Sequence, residues 1–465
     1  MVASAGDQGR QRLFVVGMGG GGGALAVSFQ RPPRWLSPIV GSAEGAYYPV
    51  EVAVFDTNEQ AQARLAQLGF TGIPYILTGL TRDQIIQMFV RGLSSLSVDV
   101  RLATPAGRAS ELISAGAGRH PLLARQMAIH NLAQNREVIA ANLRSTYEFR
   151  KGAMVTAHTV NGGTGSGIAP VLMDFFGRSF FEEHPGLALD IAILPEMSVI
   201  KAAGSFYPAN AIVSLYQLLR ERTIPDAIIL ADNDHIHKVF GAKNNTEINE
   251  RVRSAMIPLM LCSEAIYAWP HFGDQPDLSN IRTFARPGKG FGLATFCALG
   301  YSVTGGPGRL RRVNSFFADL VDRAFRQTTV DLSGEDRSSS DFERPDSVVA
   351  VLVASPDFYR KRLGNDSSSV ESLVEEIIKR VGVTDYKRCL VHYIAVPHLQ
   401  DVMLSMLVSG IESAKLRHMW SMALQRPPDP REPLVTSIRS LPSEEIEDLA
   451  FAEIRDHIDD LNRQP

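Results

Sequence analysis

Hydrophobic residues along this chain come in short runs that stop at glycine or at small polar residues, and most runs are followed by a segment with helical spacing. Leu13-Phe14-Val15-Val16 reads as a buried strand that runs into glycine and onward to Ala24-Leu25-Ala26-Val27, a strand, turn and helix unit. Val50 to Phe55 is a second buried strand; it ends at Asp56-Thr57-Asn58, and Glu59 to Leu68 follows with helical periodicity. Further strands are predicted at Ala153 to Ala157, Leu189 to Leu194 and Ala227 to Leu230. Strands alternating with helices predict a mostly parallel α/β sheet of the Rossmann-like kind, covered on both faces, with ligands at the carboxyl ends of the strands.

The second part of the chain changes character. Glu247 to Ile266 is a long amphipathic helical pattern with a potential kink at Pro258, and Gly273 to Asp277 is turn-like. Strands are predicted at Gly292 to Leu299, Ser347 to Val353 and Cys389 to Val396, and a helix at Val370 to Arg380; Ser333 to Asp346 reads as a solvated loop. Arg426 to Pro433 carries too many prolines for regular helix, and Ser443 to Leu461 again looks helical, with Ser443 placed to cap it. The organisation read from these patterns is a first α/β domain over 1–246, a long helix and loop over 247–276, a second, smaller α/β domain over 277–420, and a proline-rich linker with a helical tail over 421–465.

Composition narrows the function classes. A chain of 465 residues with 45% hydrophobic and 21% charged residues is long enough for two cores and too apolar for global disorder. A net charge of −3 provides no field to hold the protein on nucleic acid or an anionic membrane, and neither is expected as a partner. Cys262, Cys297 and Cys389 are far apart, without metal-ligand spacing, and read as buried small hydrophobes. Gly19 to Gly23 interrupt the only stretch resembling a leader, and no apolar run approaches the roughly 20 residues of a membrane span, so a cytoplasmic protein is expected.

Candidate chemistry sits in two glycine-rich segments. Asn161-Gly162-Gly163-Thr164-Gly165-Ser166-Gly167 follows a strand and precedes a helical stretch, so its backbone N–H groups can point at phosphate oxygens, with Thr164 and Ser166 as hydroxyl donors. A lone glycine turn is weak evidence, but Gly17-Met18-Gly19-Gly20-Gly21-Gly22-Gly23 supplies a second. His235 and His237 would share one face if on a strand, yet no third metal ligand lies nearby, so no metal site is assigned.

The run His158 to Gly167 resembles the signature loop of the tubulin/FtsZ superfamily, and no P-loop lysine motif is present. Further segments resemble that family in its order: Gly17 to Gly23, Asp56-Thr57-Asn58-Glu59-Gln60, Gly116 to Pro121, Phe206 to Ala211, Asp232-Asn233-Asp234 and Asp277 to Thr283. The resemblance implies a GTP-binding domain, a long central helix and a second domain, with head-to-tail homopolymers as the assembly and GTP or GDP as the ligand. Residue by residue it implies that Gly17, Gly19, Gly20 and Gly21 approach the phosphates, that Gly116, Ala117 and Gly118 cover the terminal phosphate, and that Gly162 to Gly167 hold the phosphate chain. Asn233 and Asn249 match positions that read guanine, although asparagines at such places also act as local caps. Tyr207 stands where an acidic sugar contact is usual, with Asn210 in the same segment. Magnesium is expected with the phosphates, Asp56 and Asn58 being candidates to hold its water shell; equally, Asp56-Thr57-Asn58 reads as a cap for the following helix.

Asp277 matches the first of two acids that such proteins place in the neighbouring subunit's nucleotide site. The second position is Asn280, which can orient water but cannot act as a base, so hydrolysis is expected to be weakened. The leading reading is therefore a filament-forming GTPase. A non-polymerising GTP-binding switch or scaffold, with a partner for the C-terminal tail, is the alternative. A dinucleotide-binding enzyme is disfavoured, because Asp56 lies about twice as far from the first glycine loop as a ribose-binding acid should.

Overall fold

The computed structural model describes residues 13–33, 35–36, 48, 50–72, 74–77, 121–146, 153–176, 187–203, 208, 211, 214–215, 218, 225–242, 244–261, 278–285, 295–304, 313–332, 345–363, 367–383, 385–396, 399–411 and 413–425. Ten strands form one sheet: β1 Leu13–Met18, β2 Val50–Asp56, β3 Tyr75–Ile76, β4 Ala153–Thr159, β5 Ala188–Leu194, β6 Ala227–Asp232, β7 Thr295–Thr304, β8 Ser347–Ala354, β9 Cys389–Ala395 and β10 Val402–Ser409. Their order is β3-β2-β1-β4-β5-β6-β7-β10-β8-β9. All neighbouring pairs are parallel except those of β10, which runs antiparallel to both β7 and β8.

The period-2 alternation of each strand explains the layering. Phe14, Val16 and Met18 enter one hydrophobic core, with α3 Pro121–Thr146, α4 Thr164–Phe176, α9 Val313–Arg326, α10 Ser367–Val381 and α11 Ala414–Gln425. Leu13 and Val15 enter the other, with α1 Gly19–Ser28, α2 Ala61–Gln67, α6 Asn233–Phe240, α7 Asn245–Leu261 and α8 Leu278–Ala285. A shorter helix, α5 Met197–Ala203, follows β5. The expected strands and the doubly covered sheet are thus present.

Several expectations change. The two halves share a single sheet, joined where β6 meets β7 from Ala227↔Thr295 to Ile229↔Cys297. β10 completes the sheet of the second half, α9 and α11 cover it, and α3 packs on α4 in the first half, all where no element was expected. Because α11 runs through Gln425, a tail placed from 421 onward begins inside a helix. The long pattern from Glu247 is helix over Asn245–Leu261 and contains Pro258. Cys297 is fully buried, whereas Cys389 is only partly buried, its thiol pushed up to about 12 by burial. Cys262 and the segment from 426 onward lie outside the described residues.

Candidate functional site

The strand order reverses between β1 and β4: β1 leads on to β2 on one side, and β4 leads on to β5 on the other. Helices α1 and α4, which follow these strands, enter opposite cores, so the loops at their carboxyl ends part and leave a crevice. Both glycine segments open onto it.

Neither segment is simply a loop. The expected glycine loop after β1 is the beginning of α1, which starts at Gly19, and α4 starts at Thr164, earlier than the pattern suggested. Close backbone approach is the physical reason. A Cβ on Gly22 would lie 2.0 Å from the Ala157 carbonyl oxygen, and one on Gly17 would lie 2.7 Å from the Gly22 carbonyl, so only glycine lets α1 lie on β1 and β4. Gly19 has φ +69, which places it in the left-handed region, and its Cβ position is 2.8 Å from the Gly165 amide nitrogen. The amino ends of α1 and α4 therefore abut, and Met18, which precedes α1, provides no side-chain cap. First-turn N–H groups of two helices, with their dipoles, are a ready cradle for phosphate.

The hydroxyls are arranged differently from expectation. Ser166 is buried and donates to the carbonyls of Gly162 and Gly163, so it closes its own turn instead of facing a ligand. Thr164 Oγ1 is 2.7 Å from Thr57 Oγ1, a bridge from α4 to the end of β2. Gly162 sits against Thr159: a Cβ there would be 2.8 Å from Thr159 Oγ1.

Asp56 is buried at 3% exposure. Its Oδ1 accepts from the Thr57 and Asn58 N–H groups at 2.8 and 3.0 Å, and its Oδ2 accepts from Arg64 Nη2 at 2.8 Å. Burial pushes the carboxyl up, opposed by Arg64 and by the Asn58 and Thr57 amides. Asn58 Oδ1 accepts from the Gln60 N–H at 2.9 Å. These acceptors are largely consumed internally, so Asp56 and Asn58 do not fit a magnesium water shell, and among the described residues no group of three His, Cys, Asp or Glu side chains fits a metal. Nor do they cap α2, whose N-cap is Gln60 without a side-chain bond.

Asn233 is the first residue of α6 and is half-buried; the cap of that helix is Asp232, which accepts from the Asp234 N–H at 3.0 Å. Asn249 is half-buried within α7, where Asn244 instead accepts from the Glu247 N–H at 3.0 Å. The local-cap reading thus fails for both asparagines. His235 and His237 are on helix α6, not a strand, so two-residue spacing turns them apart. His237 Nδ1–H donates to the Ala242 carbonyl at 2.6 Å, and burial pushes His235 down.

Gly116, Ala117, Gly118, Tyr207, Asn210 and Asp277 lie outside the described residues, as does the side chain of Asn280, whose backbone is in α8. Sequence reasoning missed Thr57 and Arg64, and it missed a buried network beneath the cradle: Asp190 accepts from Thr156 Oγ1 at 2.6 Å and pairs with His158 Nε2 at 2.9 Å. The signal for that network was an acid inside the apolar run Leu189 to Leu194.

No family model matches the chain, and no curated protein matches it. Solved structures do. CetZ2 from Haloferax volcanii in a GTPγS-bound protofilament matches with a TM-score of 0.61 at 17% identity, over 89% of this chain and 98% of that one. CetZ1 from Haloferax volcanii, a GDP-bound monomer, matches with 0.56 at 19% identity, over 89% and 99%. An empty FtsZ dimer from M. jannaschii matches with 0.50 at 14% identity, over 87% and 89%. The chain has the fold of these CetZ and FtsZ structures.

Proposed function

We propose that this protein binds guanine nucleotide in the crevice between β1 and β4 and assembles head to tail into filaments, hydrolysing GTP at the subunit interface. The observation that carries the reading is the abutment of the two glycine-started helices, Gly19 against Gly165, at the switch point of a fold whose solved examples hold GTPγS and GDP. Glycines 19, 20 and 21 and the segment Gly162 to Gly167 line the phosphate side, while Asn233 and Asn249 supply amides that can match the donors and acceptors of guanine.

Asp277 and Asn280, from a neighbouring subunit, complete the site. A neutral Asn280 orients the attacking water by hydrogen bonding and leaves Asp277 as the sole charge, so turnover is slow. The same residue supports a second reading, a GTP-binding switch or scaffold that does not hydrolyse. The heterologous interface that Asp277 requires generates open filaments, and CetZ2 from Haloferax volcanii was solved as a protofilament.

Competition binding tests the nucleotide reading. A fluorescent guanine nucleotide should be displaced by GTP and GDP at concentrations at least about tenfold below those needed for ATP, the difference expected when one well-placed hydrogen-bonding group is mismatched. Equal displacement by ATP and GTP would remove guanine specificity from the proposal.

A further inference from the structure

The mouth of the cradle carries a cation that neither glycine segment supplies. Gly17 to Gly23 and Asn161 to Gly167 contain no lysine or arginine. Arg64 enters instead from α2, two turns beyond the end of β2. Its guanidinium is held from below by the buried Asp56 carboxylate, with Nη2 at 2.8 Å from Oδ2. The guanidinium lies over α1: Nη1, Cζ and Nη2 are 3.2, 3.4 and 3.5 Å from the position a Cβ on Gly20 would occupy. Among the described residues Nη1 makes no hydrogen bond, and the side chain is 45% exposed.

Three features converge on that spot: the amino end of α1, a guanidinium fixed in orientation, and a residue without a side chain, which lets the guanidinium lie close over the helix's first turn. A fork held on one edge by a carboxylate presents its remaining N–H groups at little further entropic cost, which suits phosphate better than a lysine does. The side chains expected to serve magnesium are engaged elsewhere: Asp56 holds Arg64, and Asn58 closes its own turn. Gly165, Ser166 and Gly167 on the α4 side are buried, whereas Gly20 and Arg64 are at the open rim, so the rim meets the outer end of a phosphate chain.

We propose that Arg64 is the phosphate-binding cation of this site, donating through Nη1 to the outermost phosphate above Gly20 and neutralising charge there in place of a metal held through Asp56 and Asn58. The assignment rests on the nucleotide reading above and adds to it a ligand and a means of distinguishing triphosphate from diphosphate.

The test uses the full chain, below the concentration at which it scatters light, with GTP, GDP and inorganic tripolyphosphate as probes in EDTA and in magnesium. Arg64→Gln should weaken GTP and tripolyphosphate binding at least about tenfold, the scale of a hydrogen bond to a charged group, and GDP binding by less. Arg64→Lys, which keeps the charge without the fork, should recover part of the loss. Arg380→Gln removes a comparable arginine from its pair with Asp322, 2.8 Å apart and remote from the crevice, and should bind like the unaltered protein. Thermal melting of each variant separates lost affinity from lost folding.

GTP affinity in Arg64→Gln equal to that of the unaltered protein overturns the assignment, as does an equal loss for GTP and GDP, or binding that collapses in EDTA before Arg64 is changed. Arg64-dependent binding of tripolyphosphate without preference for GTP over ATP would leave Arg64 in its role and remove the guanine reading; binding of no phosphate compound removes both.

Discussion

At the residue scale, the site depends on where side chains are absent as much as on where they are present. Gly22 faces the Ala157 carbonyl across a gap that no Cβ fits, so Gly22→Ala must push α1 off the sheet. Overpacking of this kind costs on the order of 3 kcal/mol, to be read by urea denaturation. Gly241, with φ +58 and nothing near its Cβ position, bears only backbone strain, and Gly241→Ala should cost about 1 kcal/mol. Equal costs for the two would contradict the packing explanation. The sequence showed that glycines cluster here but not why, because the obstructing carbonyl comes from a strand more than a hundred residues away.

A second residue-scale expectation concerns pH. His392 lies in β9 at 5% exposure with its Nε2 unpartnered, and burial pushes it from 6.5 down to about 4. The folded protein resists protonation there while the unfolded chain accepts it near pH 6.5. The resulting stability is present above that pH and is lost as the pH falls toward 4, amounting to about 3 kcal/mol. His392→Leu should flatten the dependence of unfolding free energy on pH between 7 and 4; an unchanged slope would show that other groups set it.

At the element scale, α11 is fastened to the carboxyl end of β6. Lys415 Nζ, 8% exposed, contacts Asp232 and lies 2.6 Å from Asp234 Oδ2; Asp234 also accepts from the Met197 N–H at 2.7 Å. The helix thereby ties the last described segment to the strand end that carries Asn233. Lys415→Met strips a buried pair of its cation and should destabilise the protein by about 3 kcal/mol, measured by thermal or urea unfolding. A change under 1 kcal/mol would mean that water satisfies the two acids. Neither α11 nor β10 was read from the sequence. Val402 to Ser409 is an apolar run broken by Ser405 and ended by Gly410, close to the signal of the other strands but not read as one, and Ala414 to Gln425 sits directly before the prolines that drew attention to a linker. The parallel strands before Asp232, the two-residue β3 excepted, were legible because each is a mainly apolar run, the pattern of a strand buried on both faces.

At the scale of the whole molecule, one sheet joins the crevice between β1 and β4 to the second half of the chain. β6 carries Asn233 at its end and also pairs with β7, and α7 crosses from the α1 core toward β10 and β8. Arg253 on α7 donates to the carbonyls of Ser28 and Arg31 at 2.7 and 3.2 Å, so the central helix holds the far end of the helix whose first turn forms the cradle. Under the proposed function, this continuity is the physical route by which occupancy at the α1 amino end would bias the second half of the chain. The fold was legible from motif order, whereas the residues closing the crevice, Arg64 and Thr57, become visible only when α2 is folded against α1.

The central claim is that nucleotide hydrolysis requires assembly. It is tested most directly by recording phosphate release from GTP and light scattering together across a protein concentration series, alongside Asp277→Ala. The account predicts that both signals rise above one shared concentration, that the rate is slow and GTP-selective, and that Asp277→Ala abolishes release. Release proportional to concentration without scattering, or undiminished in Asp277→Ala, would contradict it.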